Sequence, residues 1–403
     1  MDHTELSLLL LLALAALVAV LSNRARLPYA IGLVLAGLLV GNVLSYDGPH
    51  LSKQLLFLVV LPGLLFEAAF QMHFTAVWRA RALIFSLSVP GLVIVVMLTA
   101  LLVWLGANWI SPGLLDYPEA LVFGALISAT DPISVLATFR SLQVDKRLST
   151  VVEAESLFND GTAIVMFTIV LAMAMGGSLS LGGAAWEFVR VTLLAIVVGV
   201  ACGGALGLLT RGINDPMVEI TLTVLCAYGA FITAEWLQLS GVIACVAGAL
   251  VTGNWGAPRG MQAATRAAVD VFWSYAAFAL NSLVFLLMGL EINLATLAHF
   301  IPEILMSWVA INLARAALVY THCIVMRRAG RSELPWSWAT VLVWGGLRGG
   351  LSMVLALSLP RDFAHRELIL HMTFGVVLLT LLVQGLTIRP LLGRLGLANS
   401  ARA

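Results

Sequence analysis

The chain has 403 residues, of which 61% are hydrophobic and only 11% charged, whereas a soluble domain is about 45–50% apolar and about 25% charged. So much apolar surface excludes a soluble fold, and a net charge of +1 gives no electrostatic footprint for nucleic acid. What remains is an all-α polytopic membrane protein, read as one transmembrane unit over 1–403 with no room between its segments for a soluble domain.

A helix needs about 20 apolar residues to cross a bilayer. Thirteen such runs are predicted, near 5–22, 28–44, 52–74, 82–106, 118–139, 150–175, 184–210, 217–236, 240–253, 268–291, 297–326, 337–360 and 367–393. The first opens with acidic rather than basic residues and is too long for the apolar core of a signal peptide, so it reads as a span. The ninth is short. Cys202, Cys226, Cys245 and Cys323 lie far apart in apolar runs without metal-type spacing, which points to packing.

In chain order, the first buried acid is Glu67, in LPGLLFEAAF of span 3. It either lines an entrance or pairs with an arginine. Span 5 is interrupted by SATDPIS, residues 128–134. Pro132 lacks the amide that would bond back to the Ser128 carbonyl, and it disfavours helical geometry at Asp131. The segment is therefore predicted to unwind. Its freed carbonyls, with Thr130 and Asp131, offer hard oxygen donors suited to cations such as Na⁺. Asp131 also suits the cap of the following half-helix, and the two roles are compatible.

Span 6 carries ESLFNDGTA, residues 155–163. At about 100° per residue, Glu155, Asn159, Ser156 and Asp160 share one polar stripe on an otherwise apolar helix. Polar side chains can glue membrane helices, but two carboxylates on one stripe favour a functional site, because ionisable residues in a bilayer are costly. Arg315, near the middle of span 11, is too deep to reach water easily and needs a buried anion. Glu155 is its first candidate and Glu67 its second. Span 12 is interrupted by WGGLRGG, residues 344–350, where Arg348 is placed to offset the carbonyl end of a half-helix. Glu219, Glu235, Asp270 and Glu291 lie near span ends, where a solvated or capping role is expected.

The two interrupted spans are each the fifth of six, in the first and the last six. That arrangement points to an inverted repeat with a site at the bilayer midplane. Basic residues orient the chain. Lys53, Arg190, Arg361 and Arg366 fall on one side, and Arg315 and Arg348 inside spans; the other 16 of the 22 lie on the opposite side. The N-terminus is thus expected outside and the C-terminus in the cytoplasm.

ATDP (129–132), ESLFNDGTA, the Arg315 span and GGLRGG (345–350), in that order, resemble the NhaP/NHE-type sodium/proton antiporters over nearly the whole chain. The resemblance implies thirteen spans, an inverted six-helix repeat with two crossing unwound helices (spans 5 and 12), and a homodimer in the cell membrane. It implies a core of spans 4–6 and 11–13, with the remaining spans as a dimerisation scaffold. Asp160 would carry the cation or the proton, with Asp131, Thr130, Ser156 and Asn159 around it, and Glu155 would pair with Arg315. The chain stops about ten residues after span 13, so the large cytoplasmic regulatory tail of longer members is not expected.

A buried carboxylate holds a proton or a cation, but not both well. Competition for Asp160 then gives exchange, provided the loaded site faces each side in turn. Asn159 carries no proton, which argues for one H⁺ per Na⁺ (or Li⁺), an electroneutral antiport rather than an enzyme, with no cofactor beyond the transported ions. Three alternatives stand beside this: K⁺/H⁺ exchange, an intramembrane aspartyl protease using Asp131 and Asp160, and a passive channel.

Overall fold

A computed structural model describes residues 13–398 apart from 23, 25–27, 44–52, 178–179, 214 and 331–333. Residues 5–12 of the first predicted span lie outside the described residues, as do Arg26, Arg331 and Arg402 from the charge count. The described chain is a bundle of apolar helices: α1 (Ala13–Ser22), α2 (Tyr29–Val43), α3 (Leu56–Gln71), α4 (Arg81–Ile110), α5 (Tyr117–Ile127), α6 (Ile133–Leu142), α7 (Lys146–Ala174) and α8 (Gly182–Leu209). It continues through α9 (Pro216–Trp236), α10 (Gly241–Gly260), α11 (Ala263–Glu291), α12 (Leu294–Arg328), α13 (Trp336–Trp344), α14 (Gly350–Leu357) and α15 (Arg366–Arg394). Eight of these, α4, α7 to α12 and α15, are long and apolar enough to cross a membrane by themselves. The predicted spans 2, 3, 5 and 12 are carried by shorter pieces, and α1 is the described part of span 1.

The ninth span departs from its predicted length. It runs to Gly260 rather than ending near 253, because a wide turn at Thr252–Gly256 keeps the helix going past Gly253 and Asn254. There Gly253 packs on α3 so closely that a Cβ would stand 2.2 Å from the Phe70 carbonyl oxygen. The same close packing joins α2 to α11, where Gly37 and Gly289 face each other across the contact. Small residues that let backbones meet are how helices associate in lipid, where no hydrophobic drive exists between them.

Both interruptions are real breaks. A capping box of Asp116 and Glu119 starts α5, and residues 128–132 then leave the helix before α6 begins. Between α13 and α14, residues 345–349 are non-helical. The two breaks touch: the Asp131 backbone N–H donates to the Leu347 carbonyl at 2.7 Å. Around this crossing the helices sort into two packed groups. One holds α4 to α7 and α12 to α15; the other holds α2, α3 and α8 to α11.

Three thiols, Cys226, Cys245 and Cys323, are buried, Cys202 is half-buried, and all four are free. Of the span-end acids, Glu235 is exposed and accepts from the Gly241 N–H, and Asp270 pairs with Arg266. Glu219 is a correction. It is fully buried in the first turn of α9, and neither of its carboxylate oxygens has a partner. Asp215 already makes the cap, and α11 covers that face of α9 through the Trp273 Nε1–H donated to Thr223 Oγ1.

Candidate ion-binding site

α7 is the axis of the site. It is 29 residues long and has no break, so its polar residues keep the angular spacing of a regular helix and each meets a different neighbour. Glu155 turns toward α12. Arg315 grips it with two hydrogen bonds, Nη1 to Oε1 at 3.3 Å and Nη2 to Oε2 at 3.1 Å, and gives Nε to the Leu342 carbonyl of α13 at 2.8 Å. Both charges are buried, at 5% and 8% exposure. A forked guanidinium with a partner on each nitrogen is the geometry that offsets the desolvation of two charges. Gly346 makes room for it, since a Cβ there would stand 2.5 Å from Arg315 Nε. Glu67, the second candidate for Arg315, makes no such contact.

Asn159 occupies the carbonyl that Pro132 leaves open. Its Nδ2 donates to the Ser128 carbonyl at 2.9 Å and to Thr130 Oγ1 at 3.1 Å. Next to it, Ser156 donates to the Thr130 carbonyl and accepts from the Thr130 hydroxyl. Asn159, expected from sequence among the cation ligands, is buried beside the break, and its Nδ2 holds the 128–130 segment in shape.

Asp131 closes the start of α6 by accepting the Ile133 N–H at 2.9 Å. Gly349 lies against its carboxylate. The second break is fixed from the other side. The Arg348 N–H donates to Thr380 Oγ1 at 3.1 Å, at the start of a wide turn in α15 (Thr380–Gln384). The Arg348 guanidinium reaches the Ala129 carbonyl at 3.2 Å, next to the end of α5 in the other break rather than at the end of α13 in its own.

Between the two groups of helices lies a cavity of about 380 Å³. Asp131, Asp160, Ser156 and Thr130 line its inner part. Glu67 of α3 lines it as well, together with Gln71, Arg140 and Glu153. Glu67 thus borders the cavity, and among the described residues it has no ion pair. Asp160 stands apart from Glu155: its Oδ1 is buried without a partner. The inner wall therefore presents two carboxylates, a hydroxyl with one lone pair left, and backbone carbonyls, all hard oxygen donors. The arrangement suits reversible capture of a small cation or a proton.

The model for the transmembrane sodium/hydrogen exchanger matches residues 9–394. The chain is 38% identical to the Na⁺/H⁺ antiporter NhaG of Bacillus atrophaeus over 397 residues, 95% of this chain and 73% of that one. It is 39% identical to ApNhaP of Aphanothece halophytica, covering 96% of this chain and 73% of that one. The chain belongs to the sodium/hydrogen exchanger family. The fold of this exchanger agrees with that of the sodium proton antiporter MjNhaP1 from Methanocaldococcus jannaschii, with a TM-score of 0.78 at 21% identity, covering 96% of this chain and 97% of that one. Membership of this family makes the chain a transporter, so the protease alternative built on Asp131 and Asp160 falls.

Several residues of the exchanger's cavity escaped the sequence reading. Glu153 lies seven residues before Asp160, about 20° short of two full turns, so the stripe on α7 extends one step further than was read. Arg140 falls in a loop by the predicted span boundaries, but it sits in the last turn of α6 and lines the cavity. Asn281, on α11, carries no charge and sits alone, so a search for buried charges passes over it.

Proposed function

We propose that this exchanger moves Na⁺ (or Li⁺) against H⁺, one for one, with both competing for Asp160. One observation carries the reading: beside a closed ion pair, one carboxylate lines the cavity with an oxygen that has no partner. Glu155 and Arg315 cancel as a closed pair. Asp131 spends one carboxylate oxygen on the Ile133 N–H. Asn159 has no charge to offer. Asp160 lines the cavity with its Oδ1 unpartnered, and one Na⁺ or one H⁺ neutralises it. Asp131, Ser156 and Thr130 supply the neighbouring oxygens.

Gln71 and Arg140 lie toward the ends of their helices that lead into the Arg-rich loops. With those loops in the cytoplasm, the cavity opens inward and the C-terminus is cytoplasmic. In this reading the group holding the crossing is the moving ion-carrying core. The group containing α2, α3 and α8 to α11 is the scaffold on which two copies pair in the cell membrane.

Because no net charge moves, a membrane potential, worth about 2.3 kcal/mol per charge per 100 mV, contributes nothing to the driving force. A pH difference supplies about 1.4 kcal/mol per unit, which balances a tenfold Na⁺ gradient. In proteoliposomes, Na⁺-driven proton movement is expected without current and without response to an imposed potential at fixed pH. A current that tracks Na⁺ would sink the one-for-one reading.

A further inference from the structure

Opposite the aspartates, the stretch of α11 from Ala277 to Phe285 that lines the cavity is apolar except at one place. Ala277, Phe278, Val284 and Phe285 of α11 line the cavity there, and among them stands Asn281. Its carboxamide has no hydrogen bond to any described residue. Its depth follows from its neighbours. A Cβ on Gly350 would stand 2.7 Å from Val284 Cγ1, and one on Gly349 would stand 2.5 Å from Asp131 Oδ2. α11 therefore passes the crossing at Val284, and Asn281 lies one turn earlier on nearly the same face. It looks into the cavity toward the aspartates, from the other group of helices.

Every oxygen identified so far for the cation comes from one wall: Asp160, Asp131, Ser156 and Thr130. A cation bound there has its open side toward α11. When the walls approach and water leaves, that side faces hydrocarbon, which a bare charge does not tolerate. Asn281 Oδ1 is the oxygen that the α11 face can offer. We infer that Asn281 is a specificity-determining residue that completes the cation's oxygen shell from the α11 side, directly or through one water. The inference rests on the exchange reading above.

It predicts a change in selectivity rather than a general loss. A larger cation takes more oxygens than a smaller one of the same charge, so removing one oxygen harms Na⁺ more than Li⁺. The test is Na⁺- and Li⁺-driven dequenching of a pH dye in everted vesicles, scored as maximal rate over KM for each ion. Asn281→Leu keeps the size of the side chain and suits the apolar wall. It is expected to shift the Na⁺:Li⁺ ratio of this quantity toward Li⁺ by about fivefold or more, while Asn281→Asp, which keeps an oxygen in place, holds the ratio. A Leu variant that lowers both ions in proportion, or leaves both unchanged, overturns the inference, as does an Asp variant that shifts as far as Leu. Should the Leu protein fail to reach the membrane, Asn281→Ala is scored by the same ratio. A wild-type protein that exchanges neither ion for protons defeats the exchange reading itself, a result distinct from an unshifted ratio.

Discussion

Two faces of α7 carry carboxylates five residues apart, and they behave as opposites. On the face toward α12 and α13, Glu155 is enclosed with Arg315, and both of its oxygens are used. On the face toward the cavity, Asp160 keeps an oxygen without a partner. The same side-chain chemistry serves as a fixed joint in one place and as a site open to exchange in the other. What separates them is the neighbour each face meets. A guanidinium on a packed helix closes one, and an opening between two helix groups leaves the other unfilled.

The largest expected effect tests the open face. Asp160→Asn is expected to reduce exchange by at least about a hundredfold, to the level of vesicles lacking the protein, while thermal stability in detergent stays near wild type. Retained dye dequenching on Na⁺ addition would remove Asp160 from the centre of the mechanism. The closed face should show the reverse emphasis. Arg315→Ala leaves a buried carboxylate unpaired and should destabilise by about 3–5 kcal/mol, read as a drop in melting temperature. Glu155→Gln with Arg315→Gln should recover part of it. Additive losses in that double-mutant cycle would mean the pair is not a coupled joint. The smallest effect is expected between the two faces. Asn159→Ala leaves the Ser128 carbonyl without its donor and should cost about 1–3 kcal/mol. Activity should fall through the shape of the 128–132 segment rather than through a lost ligand. A full loss of Na⁺ affinity at unchanged stability would return Asn159 to the cation's own shell.

Much of this comparison was legible in the sequence, for identifiable reasons. Pro132 next to Asp131 breaks a helix by removing a donor, wherever the segment lies. The glycines of 345–350 mark the second break in the same local way. Arg315, deep in an apolar run, demands an anion, and few buried acids were available to it. The residues that escaped depend on who stands opposite. Glu219 reads as a span-end acid until α11 is seen to cover it. Arg140 reads as a loop charge until α6 is seen to border a cavity. Asn159 reads only as a ligand until its Nδ2 is seen to hold the Ser128 carbonyl and Thr130.

The sequence by itself determined the membrane class, the two breaks, the charged residues that must find partners, and the family resemblance. These are set by composition, local backbone chemistry and the cost of charge in lipid, each of which acts within a few residues. Only the tertiary structure decided which carboxylate is paired and which is open, that the two breaks meet at Asp131 and Leu347, and that Asn281 faces the site. Those depend on contacts between helices more than a hundred residues apart in the chain, which helical periodicity does not encode.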